Sequence, residues 1–430
     1  MGILDVPGYS QAAADGRFAR PTKPTIVLFG DSRTDDCDLT TADIGDAAVN
    51  SALNAYCTNM SWFDWGQASL ASGPVFDVIS NSGIGGNTTT QMLARIQADV
   101  IAYAPSYMTI WGGTNDGWAT VADVDATFAR MVAMIQAARA ANIYVFVISE
   151  TTSSTKGATF PNLVQYYNEK LRGYAASNSG MEFWDFNSVF INPTGPTGYP
   201  LTSMTRDGVH LSAFGAMTLG QKVVAPKLAR FTTALAMLPN SVIDTTGNNG
   251  NVRNAVSNPF MTGSAGVNGG GDSGTLPNSW SATGTPTAAH SVAARPDGFG
   301  NDLTAVITAA SANGKFYTQT LNPARILPGI PYVIEASIGI ALATNLFGLS
   351  LIAQLNSAAN SYSRGFGLNE QAPAAGDTLA ALSGGIIRSR KFMVPAGTVL
   401  TSATLVLTAR FAGAGGATIK LGRVALKRVD

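Results

Sequence analysis

TIVLFGDSRTD, residues 25–35, is the stretch on which the fold turns. Its first five residues form a short apolar run, too brief for a helix and rich in residues that favour a buried strand. Gly30 and Asp31 end the run, and Ser32 follows at once. If the strand belongs to a parallel sheet, the Ser32 hydroxyl sits at the carboxyl end of that sheet, where ligands of such sheets collect.

Working outward, four more short runs follow: VFDVIS (75–80), YMTIW (107–111), IYVFVIS (143–149) and MEFWDF (181–186). Stretches with apolar residues spaced by three or four, over 88–103, 121–141, 162–178 and 211–229, lie between or after them. Strands alternating with helices predict an α/β domain, a five-stranded parallel sheet between two helical layers. Beyond Asn240 the texture changes. TTGNNGNVRN and GSAGVNGGGDSG are rich in Gly, Asn and Ser, and helical periodicity is lost. Short, partly alternating runs then recur at 303–309, 315–321, 332–342, 347–355, 385–394, 403–411 and 417–429. Separated by turn residues, they predict an antiparallel β-sandwich. The expected division is an N-terminal extension (1–23), an α/β domain (24–238), a linker (239–256) and a β-sandwich (257–430).

The 430 residues are 46% hydrophobic and 13% charged, enough to bury a large core over two domains. Lys plus Arg equals Asp plus Glu at 27 each, so no net field draws nucleic acid or an anionic membrane. The longest apolar stretch, Tyr332 to Leu355, carries Glu335, Asn345 and Gln354 and reads as paired strands rather than a membrane span. Residues 1–20 lack the basic start and apolar core of a signal peptide. Cys37 and Cys57 have neither CxxC spacing nor a His nearby in sequence, which argues against zinc and leaves a disulfide open.

A serine hydroxyl becomes a nucleophile only with a base in reach. The chain has two histidines: His290 in the sandwich region, and His210, in RDGVHLS just before the last helix of the α/β domain. Asp207, three residues earlier, can accept the other imidazole N–H and fix its tautomer. An oxyanion needs further donors. The turn NSGIGGNTT (81–89) offers backbone N–H groups, and GGTND (112–116) offers the uncharged amide of Asn115.

GDS at 30–32, the turn containing Gly86, GTND at 113–116 and DGVH at 207–210 resemble the four ordered blocks of the SGNH/GDSL hydrolases. The resemblance covers about 24–230 and implies a three-layer, flavodoxin-like αβα domain. It assigns Ser32 as nucleophile, Asp207 and His210 as the rest of a triad, and the Ser32 amide, Gly86 and Asn115 as the oxyanion hole. Gly86 is preferred to its neighbours because N-x-x-I-x-G aligns on Asn81 and Ile84. The leucine usual after GDS is Arg33 here. The chemistry implied is ester hydrolysis through an acyl-enzyme, with no metal or organic cofactor required. The β region, opening SNPFMTG and closing IKLGRVALKRV, resembles jelly-roll carbohydrate-binding modules, and VPGYSQAAADGRFAR resembles the segment preceding enzymatic domains of phage tail proteins. These likenesses point to O-acetyl removal from a polysaccharide by an extracellular or virion-borne protein, a homo-oligomer and a trimer if tail-associated. The competing readings are a lipase or thioesterase, and a glycan-binding protein without catalysis.

Each feature also has a plainer role. A serine after a strand is commonly a helix cap. Asp31, Asp35, Asp36, Asp38 and Asp116 suit either a cation site or helix capping and loop hydrogen bonds. Trp62, Phe63, Trp65 and Trp118 suit either the core or an aromatic rim that stacks on sugar. With Arg33, the tryptophans Trp62, Trp65 and Trp118 are the candidate substrate contacts.

Overall fold

The computed structural model describes residues 23–38, 56–195, 198–231, 254–368 and 377–428. The N-terminal segment that resembles phage tail proteins and most of the expected linker lie outside the described residues.

The first region is the predicted parallel sheet. Its strands are β1 (Thr25–Gly30), β3 (Asp77–Gly83), β4 (Tyr107–Trp111), β5 (Tyr144–Ile148) and β6 (Met181–Trp184), in the order β3-β1-β4-β5-β6. Within this sheet that is the 2-1-3-4-5 order of a doubly wound fold, whose switch point lies between β1 and β4. The alternation of β1 shows why it must be covered twice. Val27 and Phe29 pack with α3 (Thr89–Asp99), α4 (Val121–Ala140) and α5 (Phe160–Ala176). Ile26 and Leu28 face the opposite layer, built from α2 (Trp62–Ala68), α6 (Asn187–Phe190), α7 (Ala213–Leu219) and α8 (Ala225–Leu228). Helix starts follow local chemistry: Thr88 with Gln91 and Thr120 with Asp123 form capping boxes, and the Ser212 hydroxyl accepts from the Gly215 N–H. Gly220–Val224 form a π-helical turn that joins α7 to α8 within one predicted helix. Helix α2 lay in a segment where no element was expected.

The second region is two-sheeted, with longer strands than the sequence runs implied. The runs at 332–342 and 347–355 join into β12 (Pro331–Ser357), and those at 403–411 and 417–429 into β16 (Leu400–Arg428). β12 and β16 pair along their lengths and change sheets together, with register shifts and positive φ at Leu342 and Asn345 marking the bend. Before its bend β12 pairs with β14 (Leu382–Arg388) and β15 (Phe392–Met393); the matching end of β16 pairs with β10 (Asn301–Ala309). Beyond the bend β12 pairs with β13 (Ser361–Leu368), and β16 with β11 (Asn313–Leu321). Strands β7 (Ser273–Gly274), β8 (Ser281–Thr283) and β9 (Thr287–Ala294) extend the outer edges.

The two regions share one core. The strand β2 (Tyr56–Thr58), supplied by the chain between β1 and β3, adds in parallel to β13 of the sandwich. The Asn59 side chain donates to the Gly367 carbonyl at 2.5 Å and accepts from the Leu349 N–H at 3.2 Å. Trp65 packs edge-on against Phe366, with centroids 5.0 Å apart. Arg390 of the sandwich reaches Asp64 of α2 at 3.0 Å, and Asp377 accepts from the N–H groups of Ala213 and Phe214 at the start of α7. A single apolar cluster runs from Ile26 and Leu28 through the α2 aromatics to Leu407 and Leu421. Among the described residues no helix is long and apolar enough to cross a membrane.

Candidate active site

The backbone register aligns the site. Gly30 at the end of β1 pairs with Gly83 of β3 on one side and Trp111 of β4 on the other, so three strand ends lie side by side. Neighbouring strands are about 4.8 Å apart. Ser32, the turn with Gly86, and Asn115 therefore depart from adjacent points on one sheet edge. Ser32 opens a single turn, α1 (Ser32–Asp35), capped by Asp31, whose side chain accepts from the Arg33 N–H. That turn lies directly on β3: a Cβ at Gly83 would stand 2.1 Å from the Asp35 nitrogen. Only glycine leaves room for the approach.

His210 lies on a loop closed by the Thr205–Leu211 bridge and by the Arg206 N–H donating to the His210 carbonyl at 2.9 Å. Its Nε2 lies 2.9 Å from Ser32 Oγ, and its Nδ1 lies 2.6 Å from Asp207 Oδ2. Asp207 Oδ1 accepts from the N–H groups of Val209 and His210 at 2.9 and 2.8 Å. Burial pushes the Asp207 carboxyl up, but these bonds from the imidazole and the two amides outweigh it and hold it below the usual carboxylate range. The loop is anchored by Arg206, whose Nη2 sits 2.9 Å from Asp36. The three groups are within reach of solvent, His210 at 28% and Asp207 at 47% side-chain exposure.

Gly86 lies at φ +75° in an exposed turn, and the Gly85 N–H beside it donates to Asp35 at 2.9 Å. Asn81 steadies the turn's base by donating to the Thr34 carbonyl and to Asp38 and accepting from the Gly83 N–H. Asn115, half-buried, donates to the Asn87 carbonyl at 3.1 Å, so its amide is tied to the glycine turn.

The expected substrate contacts are corrected by burial. Trp62 and Trp65 are fully buried: Trp62 packs against Trp111 and Phe186, and the Trp65 indole donates to the Asn59 carbonyl. Phe63 is buried beside them. Trp118, 8% exposed, lies against Phe160 and Tyr167, and its indole N–H donates to Thr127. These rings fill the two faces of the sheet because the aromatic area gains more from packing than from exposure. Arg33, 1% exposed, points inward and pairs with Asp31 and Glu150. The carboxylates weighed as a cation site are each engaged by the protein: Asp116 by Thr89 and Arg130, Asp36 by Arg206, Asp38 by Asn81. Cys37 and Cys57 are free, buried thiols, and burial pushes both well above the usual thiol range.

Glu150 and its neighbour Thr151 were not singled out from the sequence. The available signal was position: Glu150 follows a strand of the parallel sheet by two residues, as Ser32 does.

No curated protein sequence matches the chain. Solved structures similar to it include a GDSL-like lipase from Bacteroides thetaiotaomicron, at 23% identity and TM-score 0.33, covering 48% of this chain and 91% of that one. An acetylxylan esterase from Geobacillus stearothermophilus is similar at 18% identity and TM-score 0.37, covering 48% and 93%. Residues 28–217, from within β1 into α7, match the profile of the GDSL-like Lipase/Acylhydrolase family.

Proposed function

We propose that the protein is a carboxylic ester hydrolase that removes short acyl groups, chiefly O-acetyl, from a polysaccharide. The observation that carries the esterase reading is the continuous chain from Ser32 Oγ to His210 Nε2 at 2.9 Å and from His210 Nδ1 to Asp207 at 2.6 Å. On this reading His210 takes the Ser32 proton as the oxygen attacks the ester carbonyl, and Asp207 stabilises the imidazolium. The N–H groups of Ser32 and Gly86 and the Asn115 amide receive the oxyanion. His210 then protonates the leaving alcohol, and water regenerates Ser32 by the same route in reverse.

The preference for a short acyl group is supported by the openness of the site. Ile84, Gly85 and Gly86 are exposed beside it, as is much of Asp207. A long acyl chain would call for an enclosed apolar channel, whereas an acetyl group on a bulky polar alcohol needs only an open rim. The test is a series of p-nitrophenyl esters from acetate to decanoate, with Ser32→Ala as control. Acetate should give the highest kcat/KM, and Ser32→Ala should lose at least about 10³-fold. A maximum at eight or more carbons would replace the polysaccharide assignment with a lipase or thioesterase, and a wild-type chain inert to every ester would end the esterase reading.

A further inference from the structure

We infer that Glu150 is a positioning residue for the oxyanion hole, acting through Arg33 and Thr114; this rests on the esterase reading above. Arg33 immediately follows the nucleophile, and its guanidinium has five N–H groups. Nε donates to Asp31 at 3.1 Å and Nη2 to Asp31 at 2.6 Å; Nη2 also donates to Glu150 at 3.0 Å. Nη1 donates to Glu150 and to the Thr151 hydroxyl, the latter at 3.1 Å. All five are thereby used, and the guanidinium plane lies over the Trp111 ring, 4.3 Å from its centroid.

Glu150 ties this group to the other half of the site. Its Oε2 also accepts the N–H of Thr114, the residue before Asn115, at 3.0 Å. Its Oε1 accepts the Thr151 N–H at 2.8 Å, and its own backbone is clamped by Asn168, which accepts from the Glu150 N–H at 2.7 Å and donates to the Glu150 carbonyl at 2.8 Å. One carboxylate thus joins three segments: 31–33, which carries Ser32 between two residues of the network; 113–114, which leads into Asn115; and 150–151 at the end of β5. Two of the three proposed oxyanion donors, the Ser32 amide and the Asn115 side chain, are fixed relative to each other through it.

Stability alone is a poor reason for this arrangement. A buried guanidinium with two buried carboxylates is costly to desolvate, and apolar residues of similar volume commonly hold a core as well. What an apolar cluster cannot supply is direction. A fork of five bonds and a carboxylate receiving a backbone N–H set the orientation of both segments, and a preorganised oxyanion site depends on orientation.

The test uses the full-length chain and compares Glu150→Gln, Asn115→Ala, the double variant and Arg33→Lys. Acetate ester turnover is expressed per Ser32 labelled to completion with a fluorophosphonate, which removes any unfolded fraction from the count. Glu150→Gln should lower kcat by up to about 100-fold, with KM changed less than about threefold. Asn115→Ala should lose about 10²–10³-fold. In the Asn115→Ala background the loss from Glu150→Gln should shrink to less than about threefold, because one of the two donors whose relative placement it fixes is already gone. Arg33→Lys keeps the charge but cannot bridge both carboxylates; it should show the same kcat loss and decides the matter if Glu150→Gln does not fold. Losses that multiply in the double variant, or a kcat per labelled site within about twofold of wild type, would overturn the inference. A wild-type chain that neither turns over ester nor takes the label would instead fail the esterase reading.

Discussion

A guanidinium one residue past a nucleophile can reach into the cleft and meet substrate, or turn inward and hold the backbone. At Arg33 the choice is settled by its partners: Asp31 and Glu150 are fully buried, and neither could be left without a cation. The same residue scale governs the base. Asp207 holds the His210 ring by one oxygen while its other oxygen accepts two backbone N–H groups. Asp207→Asn keeps the volume but presents the wrong partner to Nδ1, so kcat should fall by about 10³–10⁴-fold with the melting temperature little changed, measured by ester hydrolysis beside calorimetry. Asp38 offers a pH signature of a different kind. Burial pushes its carboxyl up to about 7, against the opposing pull of Arg390 and the Asn81 amide. Because the folded value lies above the unfolded one, the folded state binds the extra proton. Its contribution is complete below about pH 4 and is lost as pH rises to 7. Urea unfolding of wild type and Asp38→Asn across pH 4–7 should show wild type losing up to roughly 4 kcal/mol relative to the variant over that window.

At the scale of elements, the site depends on how closely α1 seats on the end of β3. No side chain fits between Gly83 and the Asp35 nitrogen. Gly83→Ala must push the turn that opens with Ser32 away from the sheet, at a cost of about 1–3 kcal/mol. A lower melting temperature should accompany a fall in kcat of about 100-fold, since displacement by even 1 Å misaligns the nucleophile. The central parallel strands β1, β4 and β5 were legible from the sequence because each is a short apolar run buried on both faces, and the end of YMTIW is matched to the residue, whereas the half-buried edge strand β3 runs to Gly83, three residues past its apolar run. Helix α2 was not, because seven residues with three large aromatics carry no clean helical period. Nor was the joining of two runs into β12 or into β16, since the bends at Leu342 and Asn345 break the alternation while the pairing continues through them.

Over the whole molecule, the change in composition near Asn240 marks a domain boundary, and the described residues on its two sides share one apolar core. β2 is the edge strand of the sandwich, and Arg390 lies buried between Asp64 and Asp38 of the α/β region. Calorimetry should therefore show one unfolding transition rather than two. Arg390→Met, which leaves those carboxylates without their cation, should cost about 3–5 kcal/mol and lower that single transition as a unit. Because Asp377 of the β region caps the helix that begins three residues after His210, the sandwich also contributes to holding the base.

By itself the sequence determined the strand order's raw material, the α/β class, and the identities of the residues that meet at the sheet edge. Those properties are local: a run length, a period, a residue placed just past a strand. Only the tertiary structure decided that Trp62, Trp65 and Trp118 belong to the core, that Arg33 turns inward, and that Glu150 joins two halves of the site. Burial and ion pairing depend on which surfaces come together across a hundred or more residues, and no local pattern encodes that.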